Sequence, residues 1–395
     1  MKHIGEGGIK KIAYAGCLGA VGIISTEFGI IGVLPQVASH YDIGIDKAGL
    51  LLSAFALTIF LIGPFLVLFT SGINRKKMML WALSLFLASN IVSAFAPPFW
   101  LLVLFRIIPA ILQPVFFSAA VGTIIRTAAK DEQHKLMGIV IGGIALAQVT
   151  IIPLTTYMSS MFGWQISFMI QGVITLVALA GILTFIPDMP VKEKLSYGSQ
   201  LQILKKPRFI ISVAFNIFLI SAWFSTYSYI ADYLGKVKMM TGQEISSMLL
   251  LFGIMGVIAN WIAGRLLSRN VVLTTAFFLT GTILLPVILE FSGSNFHVQI
   301  LVVCFWGMMY GPAFLTAISY MIDAAPEAPE FANSLQSSFG NLGVSVGTIV
   351  GGWFISNRGI DGLPWVGAGF GIIAIITMVM RAILDRQYKL QNHMP

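Results

Sequence analysis

A charged side chain in the middle of an apolar run costs roughly 2.5–3.5 kcal/mol to insert into a membrane, so a chain that keeps one has a use for it. Two residues here meet that description. Glu27 lies in Ser25-Thr26-Glu27-Phe28-Gly29, within the first apolar run, and Arg106 lies in the fourth. A carboxyl group at such depth can carry a proton between two aqueous sides, since burial and a neighbouring cation act on its charge in opposite senses. A first helix running outward and ending near Pro35 puts Glu27 roughly 12 Å below the outer surface. A fourth helix running inward from Phe99 puts Arg106 roughly 10 Å below the same surface. At similar heights the two are expected to meet. Two readings of Glu27 stand side by side: a coupler of protons or substrate, or a permanent structural ion pair or hydrogen-bonded acid. For Arg106 the choice is between tuning Glu27, holding a polar substrate, and static pairing.

Other polar residues in the apolar runs are candidates for lining a cavity. Gln113 is seven residues after Arg106 and shares its helix face. Asn216, Trp223, Tyr227 and Tyr229 belong to the seventh run, with Tyr227 standing 200 residues after Glu27. Gln148, Asn260, Trp306, Tyr310, Gln336 and Asn341 fall in other runs. Each could equally serve as an interhelical hydrogen bond. Asp232, Glu290 and Asp323 lie near run ends and read as solvated caps.

The elements that must position these residues are helices in lipid. The chain is 57% hydrophobic and 10% charged, against about 25% charged for an average soluble domain. Spanning helices need about 20 apolar residues each, and runs of that kind occur near 12–34, 48–70, 78–96, 99–121, 136–158, 164–186, 209–231, 246–268, 271–291, 297–321, 332–355 and 364–384. The first run is too long for a signal-peptide core and is expected to stay in the mature protein. The formal charge of +8 is topological rather than a nucleic-acid footprint. With the N-terminus inside, inner segments hold 19 Lys and Arg residues and outer loops hold four, Lys47, Lys236, Lys238 and Arg358. That asymmetry predicts both termini in the cytoplasm.

The longest link, 187–208, splits the runs into an N-terminal bundle, 1–186, and a C-terminal bundle, 209–395. Weak repeats support the division: Ser71-Gly72-Ile73-Asn74-Arg75-Lys76 after the second run and Gly264-Arg265 after the eighth, Gly163-Trp164 and Trp365-Val366-Gly367 at the sixth and twelfth. Paired six-helix halves are a transporter architecture. Pro64, Pro109, Pro114, Pro153, Pro286 and Pro312 interrupt spans and permit kinks. Pro109 and Pro114 share a run with Arg106, which predicts a bend near a cavity. Gly343, Gly347 and Gly351, like Gly138 and Gly142, recur at four-residue spacing and let a neighbour approach closely. Static packing and a sliding contact between bundles both fit that pattern.

Several chemistries find no support. No phosphate-cradling GxxxxGK[ST] loop is present, so ATP drive within this chain is unsupported. Cys17 and Cys304 are far apart and lack metal-ligand spacing. A membrane enzyme would need paired acids or a nucleophile with a base, and His3, His40, His134, His297 and His393 all lie near loops or termini. No metal or other cofactor is expected. A passive uniporter remains the principal rival to coupled transport.

Three stretches resemble the major facilitator superfamily: Thr26-Glu27-Phe28 with Gly32-Val33-Leu34-Pro35; Gly142-Gly143-Ile144-Ala145-Leu146-Ala147 through Pro153 to Gly163-Trp164; and Ala325-Pro326-Glu327-Ala328 through Asn333 and Asn341-Leu342-Gly343 to Gly351-Gly352. More narrowly the chain is similar to the bacterial drug:proton antiporter-1 group, in its branch of sugar, arabinose, and purine base or nucleoside exporters. The resemblance implies an all-α membrane fold of 12 transmembrane helices in two pseudo-symmetric bundles and proton-driven efflux of a small organic solute or drug. It also implies a monomer in the bacterial inner membrane, a conformational role for Arg75, Lys76, Lys77 and Pro153, and a cavity shared by the first and fourth helices. The sequence departs from the family at Ser71, where an acid is expected, at Ala110 and Ile152, where glycines are, and at Gln165, where an arginine is.

Overall fold

The computed structural model describes residues 6–188 and 198–391. Among them, 12 helical spans are long and apolar enough to cross a membrane: Gly8–His40, Ile45–Thr70, Arg75–Ala94, Phe99–Thr127, Lys130–Phe162, Gln165–Phe185, Pro207–Lys236, Gly242–Leu267, Val271–Phe291, Phe296–Ala324, Phe331–Arg358 and Leu363–Gln387. A helix satisfies every backbone group within its own segment, which is why apolar runs of this length fold so in hydrocarbon. Large side chains such as Phe69, Trp100 and Phe291 are exposed, as solvation by lipid requires. Most spans extend beyond the apolar runs, because their amphipathic ends continue the helix where hydropathy falls.

Besides a one-residue interruption at Gly49 in the second span, four spans are broken, and these breaks repeat. The first runs Glu6–Phe28, then a short 3-10 turn Ile31–Val33, then Leu34–His40. The fourth is Phe99–Ala110 followed by Gln113–Thr127, and the tenth is Phe296–Tyr310 followed by Ala313–Ala324. These two breaks lie 200 residues apart at both edges. The seventh is Pro207–Tyr227 followed by Ile230–Lys236, its break offset from that of the first by nearly the same amount. Pro109 and Pro114 flank one break and Pro312 lies in its counterpart, each removing an amide donor from the helical ladder. The fifth span carries instead a π-turn, Ala147–Ile151, just before Pro153.

Contacts divide the described chain into two compact units. One draws on Met1–Ile43, Leu50–Ser196 and Gly242–Leu250, the other on Gly44–Gly49, Tyr197–Thr241 and Leu251–Pro395. In the second unit the seventh and eleventh spans lie closest. A Cβ on Gly343 would stand 2.8 Å from the Ile217 carbonyl, and one on Gly347 2.7 Å from that of Ser221. Ser221 Oγ donates to the Gly343 carbonyl at 3.0 Å. The glycine face of the eleventh span is therefore taken up by packing inside its own unit. Gly138 and Gly142, by contrast, have nothing within 4 Å of where a Cβ would be.

The second unit also carries a charge network at the cytoplasmic side expected from topology. Arg381, fully buried, donates to Asp323 at 2.6 Å, Asp385 at 3.0 Å and Ser212 Oγ at 2.8 Å, and Arg208 joins Asp385 at 2.7 Å. Asp323 is thus an ion-pair partner rather than a simple solvated cap. Asp232 likewise pairs with Lys236 at 3.0 Å.

Candidate functional site

The site begins where the first span breaks. A helix C-terminus leaves four carbonyls without amide partners, and Glu27 sits in that last turn. Gly29 N–H takes the Ser25 carbonyl at 2.8 Å. Arg106 takes the next two: Nη1 donates to the Thr26 carbonyl and Nη2 to the Glu27 carbonyl, both at 2.9 Å. Its Nε donates to the Leu51 carbonyl at 2.6 Å, and its guanidinium lies 5.2 Å from the Phe55 ring centre. The arginine is thus the C-cap of a broken helix, a cation placed where the helix dipole is negative. It is 1% exposed, and no atom of it is left without a partner.

The expected meeting of Glu27 and Arg106 takes a different form from a carboxylate–guanidinium pair. Among the described residues no ion pair joins the two side chains, because the open carbonyls claim the arginine. The Glu27 carboxyl, 2% exposed, accepts instead from Gln113 Nε2 at 2.7 Å. Gln113 is the first residue of the helix that resumes after the fourth-span break. Both ends of this hydrogen bond are therefore delivered by helix breaks. Around it lie buried polar groups that the sequence did not single out. Asn90 Nδ2 donates to Thr26 Oγ1 at 3.0 Å, and Gln171 Nε2 donates to Ser167 Oγ at 2.9 Å. Their polar type inside apolar runs was the available signal; their convergence on the first span was not visible without the fold.

In the second unit the positions 200 residues on are Tyr227 and Trp306, so aromatic groups replace the acid and the cation. Tyr227 stacks on Phe252 at 4.9 Å, and Trp306, fully buried, leaves its Nε1 without a partner. Tyr310 hydroxyl accepts from Thr226 Oγ1 at 3.5 Å. Tyr229 donates to the Thr348 carbonyl at 2.8 Å, an interhelical hydrogen bond.

A polar pair stands out nearby. Asn216 Nδ2 donates to the Gln336 carbonyl at 3.0 Å, leaving the acceptor Asn216 Oδ1 and the donor Gln336 Nε2 buried and unpartnered. A Cβ on Gly340 would lie 3.4 Å from Gln336 Nε2, 3.8 Å from Asn216 Oδ1 and 3.5 Å from the Phe314 ring. The position a Gly340 side chain would take is thus bordered by one donor, one acceptor and an aromatic edge. Trp223, whose Nε1 is also unpartnered, lies 5.3 Å from Phe314.

The remaining candidates are dispersed. Gln148 is half-buried within the π-turn, Asn260 bridges the Gly256 and Gly311 carbonyls, and Asn341 donates to the Ser337 carbonyl one turn back. Arg75, Lys76 and Lys77 open the third span, where the Asn74 side chain caps the amides of Lys76 and Lys77. Lys76 Nζ reaches the Leu183 carbonyl at 2.9 Å, and Asn74 Nδ2 reaches Asp188 at 3.2 Å. Pro153 offers its carbonyl to Ser246 Oγ at 2.8 Å. Among the described residues no three His, Cys, Asp or Glu side chains gather as a metal would require.

Comparisons with known proteins agree with this architecture. The Major Facilitator Superfamily profile matches residues 16–330. The chain is 27% identical over 360 residues to a "Probable sugar efflux transporter" of Mannheimia succiniciproducens, covering 90% of each protein. It is 28% identical over 353 residues to one of the same name from Helicobacter pylori strain G27, covering 89% of this chain and 90% of the relative. The "Inner membrane transport protein YdhP" of Escherichia coli O157:H7 is 26% identical over 366 residues, covering 92% of this chain and 94% of that protein. Among solved structures, a bacterial homologue of the human lysosomal transporter Spinster superposes with a TM-score of 0.75 at 12% identity, with 98% of each chain covered. The human organic anion transporter MFSD10 does so with a TM-score of 0.67 at 14% identity, covering 95% of this chain and 99% of that one. Twelve spans, paired breaks at a fixed offset, a buried acid in the first span and a profile match over most of the sequence converge: the chain is a multi-pass inner-membrane transporter and belongs to the Major Facilitator Superfamily.

Proposed function

We propose that the chain exports a small polyhydroxylated solute, a sugar in the first instance, by alternating access, in exchange for protons carried by Glu27. The observation that carries this reading is the setting of the Glu27 carboxyl. It is buried at a helix break, held by one neutral amide, and its neighbouring cation is occupied by backbone carbonyls. Such an acid is not locked in an ion pair, so it is free to exchange a proton when a cavity opens to either side. The substrate class draws support from the relatives named for sugar efflux and from the donor–acceptor pair at Gly340. A hydroxyl group both donates and accepts, which is what Gln336 Nε2 and Asn216 Oδ1 together ask for, and a flanking aromatic suits a carbohydrate's apolar face. The alternating bundles are 1–186 and 209–395, joined by the segment 187–208, and a single chain supplies both.

The test is collapse of an imposed pH gradient in proteoliposomes on addition of sugars, nucleosides or amphipathic drugs, with Glu27→Gln beside wild type. A sugar response that the variant loses is the expected result. A response kept by Glu27→Gln removes that residue from the coupling path. Equilibration of labelled sugar with no proton movement in wild type replaces this reading with a uniporter, and a response to drugs alone overturns the substrate class.

A further inference from the structure

One buried atom beside the Glu27 carboxyl has no part in the proposed exchange. Gln113 is 6% exposed, donates through Nε2 to Glu27 Oε2, and leaves Oε1 with no hydrogen-bond partner. A buried acceptor without a donor costs about 1–3 kcal/mol, so an arrangement that gives Oε1 a donor is favoured once one appears beside it. We infer that Gln113 is a positioning residue that reports the protonation state of Glu27 by reversing its amide. This rests on the reading of Glu27 as the proton carrier.

The chemistry follows from the donor inventory. An ionised carboxylate only accepts, whereas a carboxylic acid has one O–H to donate. Among the groups set around Glu27, Arg106 has only donors, and each of its three nitrogens donates to a carbonyl of the first or second span. Among the described residues Gln113 is the one whose side chain hydrogen-bonds the Glu27 carboxyl, and its amide offers both a donor and an acceptor. When a proton from water binds the Glu27 carboxylate, the new O–H needs an acceptor. Rotation of the Gln113 amide by about half a turn about Cγ–Cδ presents Oε1 to that O–H and swings Nε2 away. The proton leaves hydronium, which loses one O–H bond and becomes water, the carboxyl gains one O–H, and the amide rotation itself makes and breaks no covalent bond; the same steps run backward on proton release.

The freed Nε2 swings at the break in the fourth span. Pro114 has no N–H to give the Ala110 carbonyl four residues back, so that carbonyl lacks its ordinary helical donor and can accept from the swung amide. One proton on Glu27 thereby moves a hydrogen bond from the first span to the fourth-span break. Arg106 is the charged side chain that acts on Glu27, and it stays in place in both arrangements.

The probe is protons alone. Acid-minus-alkaline infrared difference spectra of the full chain in lipid, with glutamine side-chain amides labelled by nitrogen-15, read the carboxyl and the amide together. In wild type a carboxylic-acid band appears on acidification together with a label-sensitive amide change. Glu27→Gln loses both, while Gln113→Met keeps the carboxyl band and loses the amide change. Gln113→Glu, of the same shape, is the second variant if the methionine form does not fold, and it too loses the amide change. A Glu27 carboxyl band with no label-sensitive change in wild type overturns the inference and leaves Glu27 as carrier. A wild-type spectrum unaltered by Glu27→Gln overturns the carrier reading itself.

Discussion

Glu27 and Arg106 are the two ionisable side chains deepest in the first and fourth spans, yet their structural roles separate. Arg106 binds carbonyls of a broken helix, and Glu27 binds an amide. Arg106→Met therefore strips charge-assisted donors from three buried carbonyls and is expected to destabilise the fold by about 2–5 kcal/mol. Glu27→Gln keeps a side chain of the same shape and is expected to cost less than about 1 kcal/mol while abolishing proton-driven export. Thermal unfolding in detergent beside the gradient assay separates the two. Equal losses of stability in both variants would reject the capping role. Similar heights for these residues were legible from the sequence by counting helical rise. That the arginine would meet backbone was not, because this depends on where the first helix ends, and Gly29 lies in a run with no proline to mark it. Gln113 was legible as a neighbour through its seven-residue spacing, but its unpartnered oxygen follows only from coordinates.

At the scale of the helix, ends and crossings decide stability. Lys238 reads from sequence as one of the few outer-loop cations. In the structure it caps the ninth span, donating to the Leu289 carbonyl at 2.7 Å, Ser292 Oγ at 3.2 Å and the Gly293 carbonyl at 2.9 Å. Burial pushes its ammonium below the ordinary lysine range. Lys238→Met is expected to lower stability by about 2–4 kcal/mol, measured by thermal unfolding, through the loss of three donors. Gly347→Ala places a methyl 2.7 Å from the Ser221 carbonyl and forces the seventh and eleventh spans apart, with an expected cost of about 1–3 kcal/mol. The four-residue glycine spacing was legible; its partner was not, since spacing names a face and not what it meets. Glu327 offers a pH test outside the spans. Its hydrogen bond from Lys206 holds the carboxyl below its ordinary 4.5. The contribution is therefore present above that value and lost as pH falls through the lowered folded one. Both side chains are nearly half exposed, so screening limits the effect to less than about 1 kcal/mol. The gap in melting temperature between wild type and Glu327→Gln is expected to be small at neutral pH and to close in acid.

At the scale of the whole molecule, two bundles with a common plan arise from one repeated decision about where helices break. The 200-residue offset that links Glu27 to Tyr227 also links the breaks after Ala110 and Tyr310. The two halves share the positions of these breaks and differ in chemistry, with acid and cation in one half and aromatic rings in the other. The helix count, the six-plus-six plan and the bend near Arg106 could be read from hydropathy, link length and proline. The divergence of the two sites could not, since polar residues inside spans look alike until their partners are known. Orientation across the membrane rests on charge alone, and it makes the last prediction. Nineteen basic residues fall on the side given to the termini and four on the other, a bias that acts through the short loops flanking each span. Reporter fusions after Arg75, Arg208 and Gln391 should be active only in the cytoplasm, and fusions at Asp42 and Gly293 only outside it. Arg106, buried in the span, takes no part in that bias, so Arg106→Met should leave the reporter pattern unchanged even where it abolishes transport. An inverted pattern in wild type would reverse the sides between which Glu27 exchanges its proton and turn the proposed exporter into an importer.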